Sequence, residues 1–418
     1  MSLSLGELDF RTLLREGDAV TWPNGVGEPV ALVSRLDEQA ASCPPFSVLL
    51  GLGLGDALSP AHPNVAVRAF GGAGTNRRFF RESAAGVVPC NVSSLCDLVA
   101  CGHLPVDVVL LQVAGPDASN HYCAGTGVHY LHEAIDRARL VIAQVNSQVP
   151  WTYGDTLIDG DRLHVLVRAD TPLLEVPPAV PSDASATIGR HIANLVEDGA
   201  TIQIGIGAIP DAALRAFAGK RRLGLHSGVI GDGVIELIES GVIDNRSKTI
   251  DPGLTVTMAL HGSRRLNAFA DRNASLRVRS PRYTHDPSVL AGLDRLVAIN
   301  SALEVDLTGQ ANAETALGRQ IGTVGGAIDF ARAAMRSRNG RSIVAMPATA
   351  AGGRASRIVP KLSDGVVTTA RSDADVVITE YGIASLRGRT LGERARALAA
   401  IAAPEFRNSL LEAAAGVV

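Results

Sequence analysis

Short runs that are apolar on both faces recur along this chain, and segments with helical period lie between them. FSVLLGLGL (46–54), VDVVLLQVA (106–114), ARLVIAQVN (138–146) and LHVLVRA (163–169) set the pattern in the first half. ATIQIGIG (200–207), RLVAINSALEVDL (295–307), RSIVAMP (341–347) and ADVVITEYG (374–382) continue it in the second. A strand with one wet face alternates apolar and polar residues, whereas a strand covered by helices on both faces has no such need. SSLCDLVACGH (93–103) and VHYLHEAIDRA (128–138) carry the helical spacing that such cover requires. The alternation predicts an α/β fold of doubly wound, mainly parallel sheets.

At 418 residues the chain is too long for one ordinary core, which predicts two domains. The proline-rich stretch TPLLEVPPAVPSDASAT (171–187) reads as the linker, placing an N-terminal domain at 1–180 and a C-terminal domain at 181–418. Each half opens alike, with EGDAVTWPNGVGEP (16–29) and EDGATIQIGIGAIP (197–210). Both run from an acidic residue and a glycine through an apolar strand to G-x-G, with proline soon after. Glycines there let backbone N–H groups and a helix start face a ligand, and proline suits a first helical turn. The repeat predicts two related α/β domains with a ligand site between them. Neither turn has G-x-G-x-x-G spacing and no G-x-x-x-x-G-K-[ST] occurs, which disfavours dinucleotide and P-loop chemistry.

The formal net charge of −3 argues against a nucleic-acid partner, which needs a basic face. Five cysteines without C-x-x-C spacing read as reduced thiols, with Cys123 the most nucleophile-like, and the ten histidines form no zinc pattern. No metal is expected. The opening MSLSLGELDF lacks a signal peptide's charged and apolar regions, and no apolar run is long enough to span a bilayer. These features predict a cytoplasmic protein with no membrane partner.

Four stretches of the second half place glycines at strand ends: GIGAIP (205–210), GLHSGVIGDG (224–233), VGGAIDF (324–330) and AGGRASRIVP (351–360). Ligands of open α/β sheets bind outside the carboxyl ends of strands, where such turns supply backbone donors to an oxyanion.

QIGIGAIPDAAL (203–214), DGVIELIESGVI (232–243), INSALEVDLTGQ (299–310), VGGAIDFARAA (324–334), GGRASRIVP (352–360) and ITEYGIASLRGRTLGERARAL (378–398) together resemble the acetyl-CoA hydrolase/transferase family. That family includes 4-hydroxybutyrate CoA-transferases and butyryl-CoA:acetate CoA-transferases. GVGEP (25–29) and VIAQVNSQVPWTYGD (141–155) extend the resemblance over almost the whole chain. It implies two related domains of the family I CoA-transferase type and movement of CoA between an acyl-CoA and a small carboxylic acid. It also implies a CoA thioester as substrate, no tightly bound cofactor, and a homo-oligomer, a homodimer or larger.

In the family a glutamate attacks the thioester, and it stands in a string like HTE followed by three residues and DG. The matching string here runs from His226 to Gly233, which puts Gly228 at the position of that nucleophile. Three readings stand. In one, another carboxylate serves transfer, from Asp56, Glu28 or Asp232, the last also a candidate helix cap. Glu304 and Asp306, on one strand face, are a further pair. In another, water enters and the protein is an acyl-CoA hydrolase with His226 as base; Ser227 beside it points the other way. In the third, the protein binds a CoA thioester without chemistry. The resemblance further implies CoA contacts from Gly205, Gly207, Gly325, Gly326, Ala327, Gly352, Gly353, Arg354 and Arg357. For the acid it implies Gly25, Gly27, Asn146 and Gln148, and Trp22 and Trp151 read as pocket wall or core.

Overall fold

The computed structural model describes residues 2–81 and 85–416, which form two compact units. The first contains the chain up to Pro177 together with Val256–Thr284, and the second contains Pro178–Thr255 and His285–Val418. A single cut at residue 180 therefore does not describe the packing. Val256–Thr284 belongs with the first unit because Ala259 bridges Gly127, Val278 bridges Gly154, and Arg279 and Arg282 pair with Asp155 and Glu133.

The first unit holds a parallel sheet in the order Ser2–Leu3, Val165–Arg168, Leu140–Val145, Val108–Val113, Ala19–Thr21, Phe46–Leu50, Val65–Ala69, Ala85–Val87. All six residues of Val108–Val113 are buried, and they alternate between two cores. Val108 and Leu110 pack with Leu32 and Leu36 of the helix Val30–Ala40. Val109, Leu111 and Val113 pack with Leu95 and Val99 of the helix Val92–Ala100 and with Leu131 and Ile135 of the helix Leu131–Arg137. Two-sided cover is why this strand reads as an apolar run broken only by Gln112.

The second unit's strands run Gly224–Ile230, Thr201–Ile204, Leu296–Asn300, Arg341–Ala345, Val376–Thr379 and Gly382–Ser385, parallel except for the last. The apolar run 295–307 splits here into Leu296–Asn300 of this sheet and Glu304–Asp306 of a separate three-stranded sheet. The redirection has a local cause: Leu303 N–H donates to the Asn312 carbonyl and Val305 N–H to the Arg357 carbonyl, drawing the chain away.

The proline-rich stretch has no regular structure until the helix Asp183–Leu195, whose Ser182 cap accepts a hydrogen bond from Ser185 N–H. Among the described residues no helix is long and apolar enough to cross a membrane.

Candidate active site

Strand order locates a functional edge in each unit. In the first, successive strands step one way from Ala19–Thr21 to Ala85–Val87 and the other way from Val108–Val113 to Val165–Arg168. Order therefore reverses between Ala19–Thr21 and Val108–Val113, and the turn Gly25–Gly27 follows the first of these. In the second, order reverses between Thr201–Ile204 and Leu296–Asn300, and the Gly205–Gly207 turn follows the first of those. Each G-x-G turn sits at its own sheet's switch point, where loops diverge and leave a crevice.

In the first unit Gly25 has φ of 64°, and its N–H donates to the Leu52 carbonyl at 2.9 Å. A Cβ at Gly25 would collide with the His261 ring, so glycine lets the backbone close on an imidazole. His261 is 2% exposed, and neither ring nitrogen has a hydrogen-bond partner among the described residues. Burial pushes its pKa down to about 4, which keeps the ring neutral near pH 7. The His129 ring lies 6.5 Å from that of His261, and its Nδ1 is 3.4 Å from Asn24 Nδ2. Asn24 Oδ1 is buried and has no hydrogen-bond partner among the described residues. The sequence reading missed Asn24, His129 and His261. The only signal was the G-x-G turn, and the histidines reach it from distant segments.

The acidic candidates of this unit have defined positions. Glu28 is buried, with Oε1 accepting Leu54 N–H at 2.5 Å and Oε2 accepting Gly55 N–H at 3.0 Å. It clamps the loop after Phe46–Leu50, and burial pushes its pKa up to about 7. Asp56 is exposed on the same loop, its carbonyl accepting from Arg78. Asn146 is fully buried and spent on structure: its amide donates to Gln112 Oε1 and the Thr171 carbonyl, and its Oδ1 accepts Gln148 N–H. Gln148 is exposed. Gln112 Nε2 in turn donates to the Val26 and Glu28 carbonyls, tying the two strand ends together. Beside them opens a cavity of about 630 Å³ lined by Asn146, Trp151, Arg168, Asp170 and Arg272. Trp22 is buried core, and so is Cys123, whose sulfur accepts Thr152 N–H at 3.4 Å.

In the second unit a Cβ on Gly205 or Gly207 would meet nothing within 4 Å, so this turn faces open space. Gly207 has φ of 115° and leads the helix Ala208–Ala216. Below it the Gln203 and Asn300 amides exchange hydrogen bonds of 3.2 and 3.1 Å across the switch point. On the strand Gly224–Ile230, Ser227 Oγ donates to the Ile204 carbonyl at 2.7 Å, while His226 is buried against Phe330. The two side chains diverge and form no dyad. A Cβ on Gly228 would lie 3.0 Å from His285 Nε2 and 3.9 Å from Phe330 Cε2. The room beside Gly228 thus holds the imidazole of His285, which is 1% exposed. Burial, with His226 nearby, pushes the His285 pKa down to about 3.

Asp232 precedes the helix Gly233–Glu239 but makes no capping hydrogen bond. Its φ and ψ of −59° and −29° are already helical, whereas a capping side chain requires an extended backbone. Glu304 and Asp306 are not a working pair: Glu304 binds Ser363 and Asn312, and Asp306 holds the turn to Thr308 and Gln310. Gly325 has φ of 63°, and Gly326 and Ala327 open the helix Ala327–Arg336. Gly352 and Gly353, with φ of 67° and 88°, lie exposed beside exposed Arg354. Arg357 is half-buried; its Nη1 reaches the Ala302 carbonyl at 3.4 Å and its Nε has no hydrogen-bond partner among the described residues. Among the described residues no three His, Cys, Asp or Glu side chains gather as metal ligands.

Comparison with known proteins adds to this geometry. Residues 8–177 match the acetyl-CoA hydrolase/transferase N-terminal domain, and residues 262–414 match the C-terminal domain of the same name. The chain is 40% identical to the 4-hydroxybutyrate coenzyme A transferase of Clostridium kluyveri, over 94% of this chain and 92% of that one. The crystal structure of RipA from Yersinia pestis superposes with a TM-score of 0.93 at 29% identity, covering 99% and 97% of the two chains. A 4-hydroxybutyrate CoA-transferase from Porphyromonas gingivalis superposes with a TM-score of 0.83 at 35% identity, covering 98% and 96%.

Proposed function

This chain belongs to the acetyl-CoA hydrolase/transferase family, and we propose that it moves coenzyme A between an acyl-CoA and a small carboxylic acid. The observation that carries the reading is that its relatedness to CoA-transferases runs through both units rather than one. In this reading the open Gly205–Gly207 turn and the Gly325–Ala327 segment bind the thioester arm. Gly352, Gly353, Arg354 and Arg357 take the phosphates of CoA, since an arginine with an unspent N–H suits a phosphate oxygen. The acid meets the Gly25–Gly27 side. Backbone N–H groups stabilise the oxyanion, each donor contributing about 3–4 kcal/mol at the transition state.

The attacking carboxylate in this proposal is the acceptor acid itself. It adds to the thioester carbonyl, the C–S bond breaks, and a mixed anhydride and CoA thiolate form. The thiolate then attacks the acceptor's carbonyl and expels the donor acid. Support comes from the absence of a side chain at Gly228, the amide-clamped Glu28 carboxylate and the exposed Asp56. Acyl-CoAs incubated with and without short acids should give a new acyl-CoA only when acid is present. Initial rates should form an intersecting, sequential pattern, and borohydride should trap no enzyme-bound thioester. A ping-pong pattern with a trapped glutamyl or aspartyl thioester would overturn the direct route.

A second reading has one observation in its favour. Gly228 offers no carboxylate to take the acyl group, so in this reading water cleaves the thioester instead, with the buried His285 beside it too weak a base to assist. Free thiol released at equal rates with and without acid would select this hydrolytic reading. Tight CoA binding with no product at all would leave only a binding role.

A further inference from the structure

We infer that the cavity of about 630 Å³ in the first unit is a binding site for a nucleoside monophosphate, separate from the Gly25–Gly27 turn. The inference rests on this cavity and does not depend on the CoA-transfer reading.

The cavity opens at the carboxyl ends of three neighbouring parallel strands, the edge at which α/β sheets take ligands. Residues 114–117 follow the strand Val108–Val113, Asn146 and Ser147 follow Leu140–Val145, and Arg168 ends Val165–Arg168. Asp271 and Arg272, from the Val256–Thr284 part of the unit, complete the wall. Its volume falls in the range of small-molecule sites, roughly 300–1,000 Å³. None of Asn24, Gly25, Gly27 or His261 lines it.

Three features of the lining select the ligand. The first is an aromatic platform. Trp151 is half-buried, and its backbone is fixed by N–H donation to Asp271 Oδ1 and by acceptance from Arg272 N–H, both at 2.7 Å. The Arg272 guanidinium lies 5.8 Å from the centroid of the indole ring, and both planar groups are of the kind that stack on nucleobases. The second is unspent positive charge. Arg168 and Arg272 are exposed, and neither guanidinium has an ion pair or side-chain hydrogen bond among the described residues. Paired guanidiniums in a concave site suit phosphate oxygens. The third is a set of carboxylates, from Asp117, Asp170 and Asp271. Asp271 Oδ2 accepts nothing among the described residues, and a ribose hydroxyl supplies the donor it lacks.

Simpler ligands satisfy only part of this lining. Inorganic phosphate meets the arginines but leaves Trp151 bare and sets an anion against the carboxylates. An uncharged nucleoside leaves both guanidiniums without a counter-ion. A phosphate monoester carries a charge of about −1.5 to −2 at pH 7, which two guanidiniums balance. A triphosphate brings more negative charge than they neutralise, beside three carboxylates.

Equilibrium dialysis of the full-length protein with labelled AMP, GMP, CMP and UMP tests the site. At least one should bind saturably, and ATP, adenosine, ribose 5-phosphate and inorganic phosphate should each compete about tenfold or more weakly than the bound monophosphate. Arg168→Gln, Arg272→Gln and Trp151→Leu should each weaken binding by about tenfold. Trp151→Phe keeps an aromatic ring and should retain most of the affinity, which separates loss of stacking from loss of folding. The monophosphate should bind equally well in the presence of saturating CoA. No saturable binding by any of the four, undiminished binding in Arg168→Gln and Arg272→Gln, or displacement by CoA would overturn the proposal.

Discussion

Glu28 shows how one buried carboxyl links the loop clamp to pH. Its two oxygens accept backbone amides, but desolvation outweighs them and raises the pKa from 4.5 to about 7. The folded state therefore holds this proton more tightly than the unfolded chain does. The stabilisation is fully present below about pH 4.5 and is lost as pH rises through about 7. At about 1.4 kcal/mol per pH unit, the wild type should lose on the order of 3 kcal/mol relative to Glu28→Gln across that window. Urea midpoints of the two proteins at pH 4, 5.5, 7 and 8 measure it, and a constant difference refutes it. A second residue-scale prediction concerns Gly228. Gly228→Glu forces a side chain against the buried His285 and Phe330 rings, an overpacking that should cost about 1–3 kcal/mol. If His285 is the obstacle, His285→Ala in the same molecule should recover about 1 kcal/mol or more beyond additivity. Denaturant unfolding of the single and double variants gives that coupling, and strict additivity would show that the two positions do not compete.

At the scale of elements, the sequence carried most of the frame and little of the site. Strands covered on both faces announce themselves because nearly every position is apolar, as in Val108–Val113, whose one polar residue, Gln112, has its amide hydrogen-bonded. The turns Gly25–Gly27 and Gly205–Gly207 were legible because each holds a glycine at positive φ, Gly25 and Gly207, where other residues are strained. Their environments are opposite: one is packed against His261, the other faces open space. Glycine looks the same in both cases, so the difference could not be read from the chain. The side chains around these turns were hidden for a related reason. His129, His261 and His285 occur in apolar or polar surroundings that look ordinary, and only the fold brings them beside Gly25 and Gly228. Run 295–307 misled because an apolar stretch records burial and not direction, and two strands of different sheets can share one. Asp232 misled because residue type favours a cap, while the cap itself depends on an extended φ and ψ.

At the scale of the whole molecule, packing and chain order disagree in one place that has an energetic consequence. The first unit is discontinuous, closing only with Val256–Thr284, so the N-terminal stretch up to Pro177 should not be a folding unit by itself. Without that segment the unit loses Ala259 opposite Gly127 and Val278 opposite Gly154. It also loses the partners of Asp155 and Glu133, but ion pairs exposed to this degree contribute about 1 kcal/mol or less each. The segment's own apolar side chains Val256, Met258, Leu260, Leu266, Leu276 and Val278 are all buried in the whole chain. At about 1.5–3 kcal/mol per side chain their burial is worth on the order of 10 kcal/mol, as much as the net stability of a typical domain. Residues 1–177 expressed alone should therefore show no cooperative thermal transition by circular dichroism and poor amide dispersion by NMR. Joining 256–284 to them through a short flexible linker should restore both. A sharp, reversible melt of 1–177 alone would mean that the segment merely covers a unit already complete, and that the linear division at residue 180 describes folding after all.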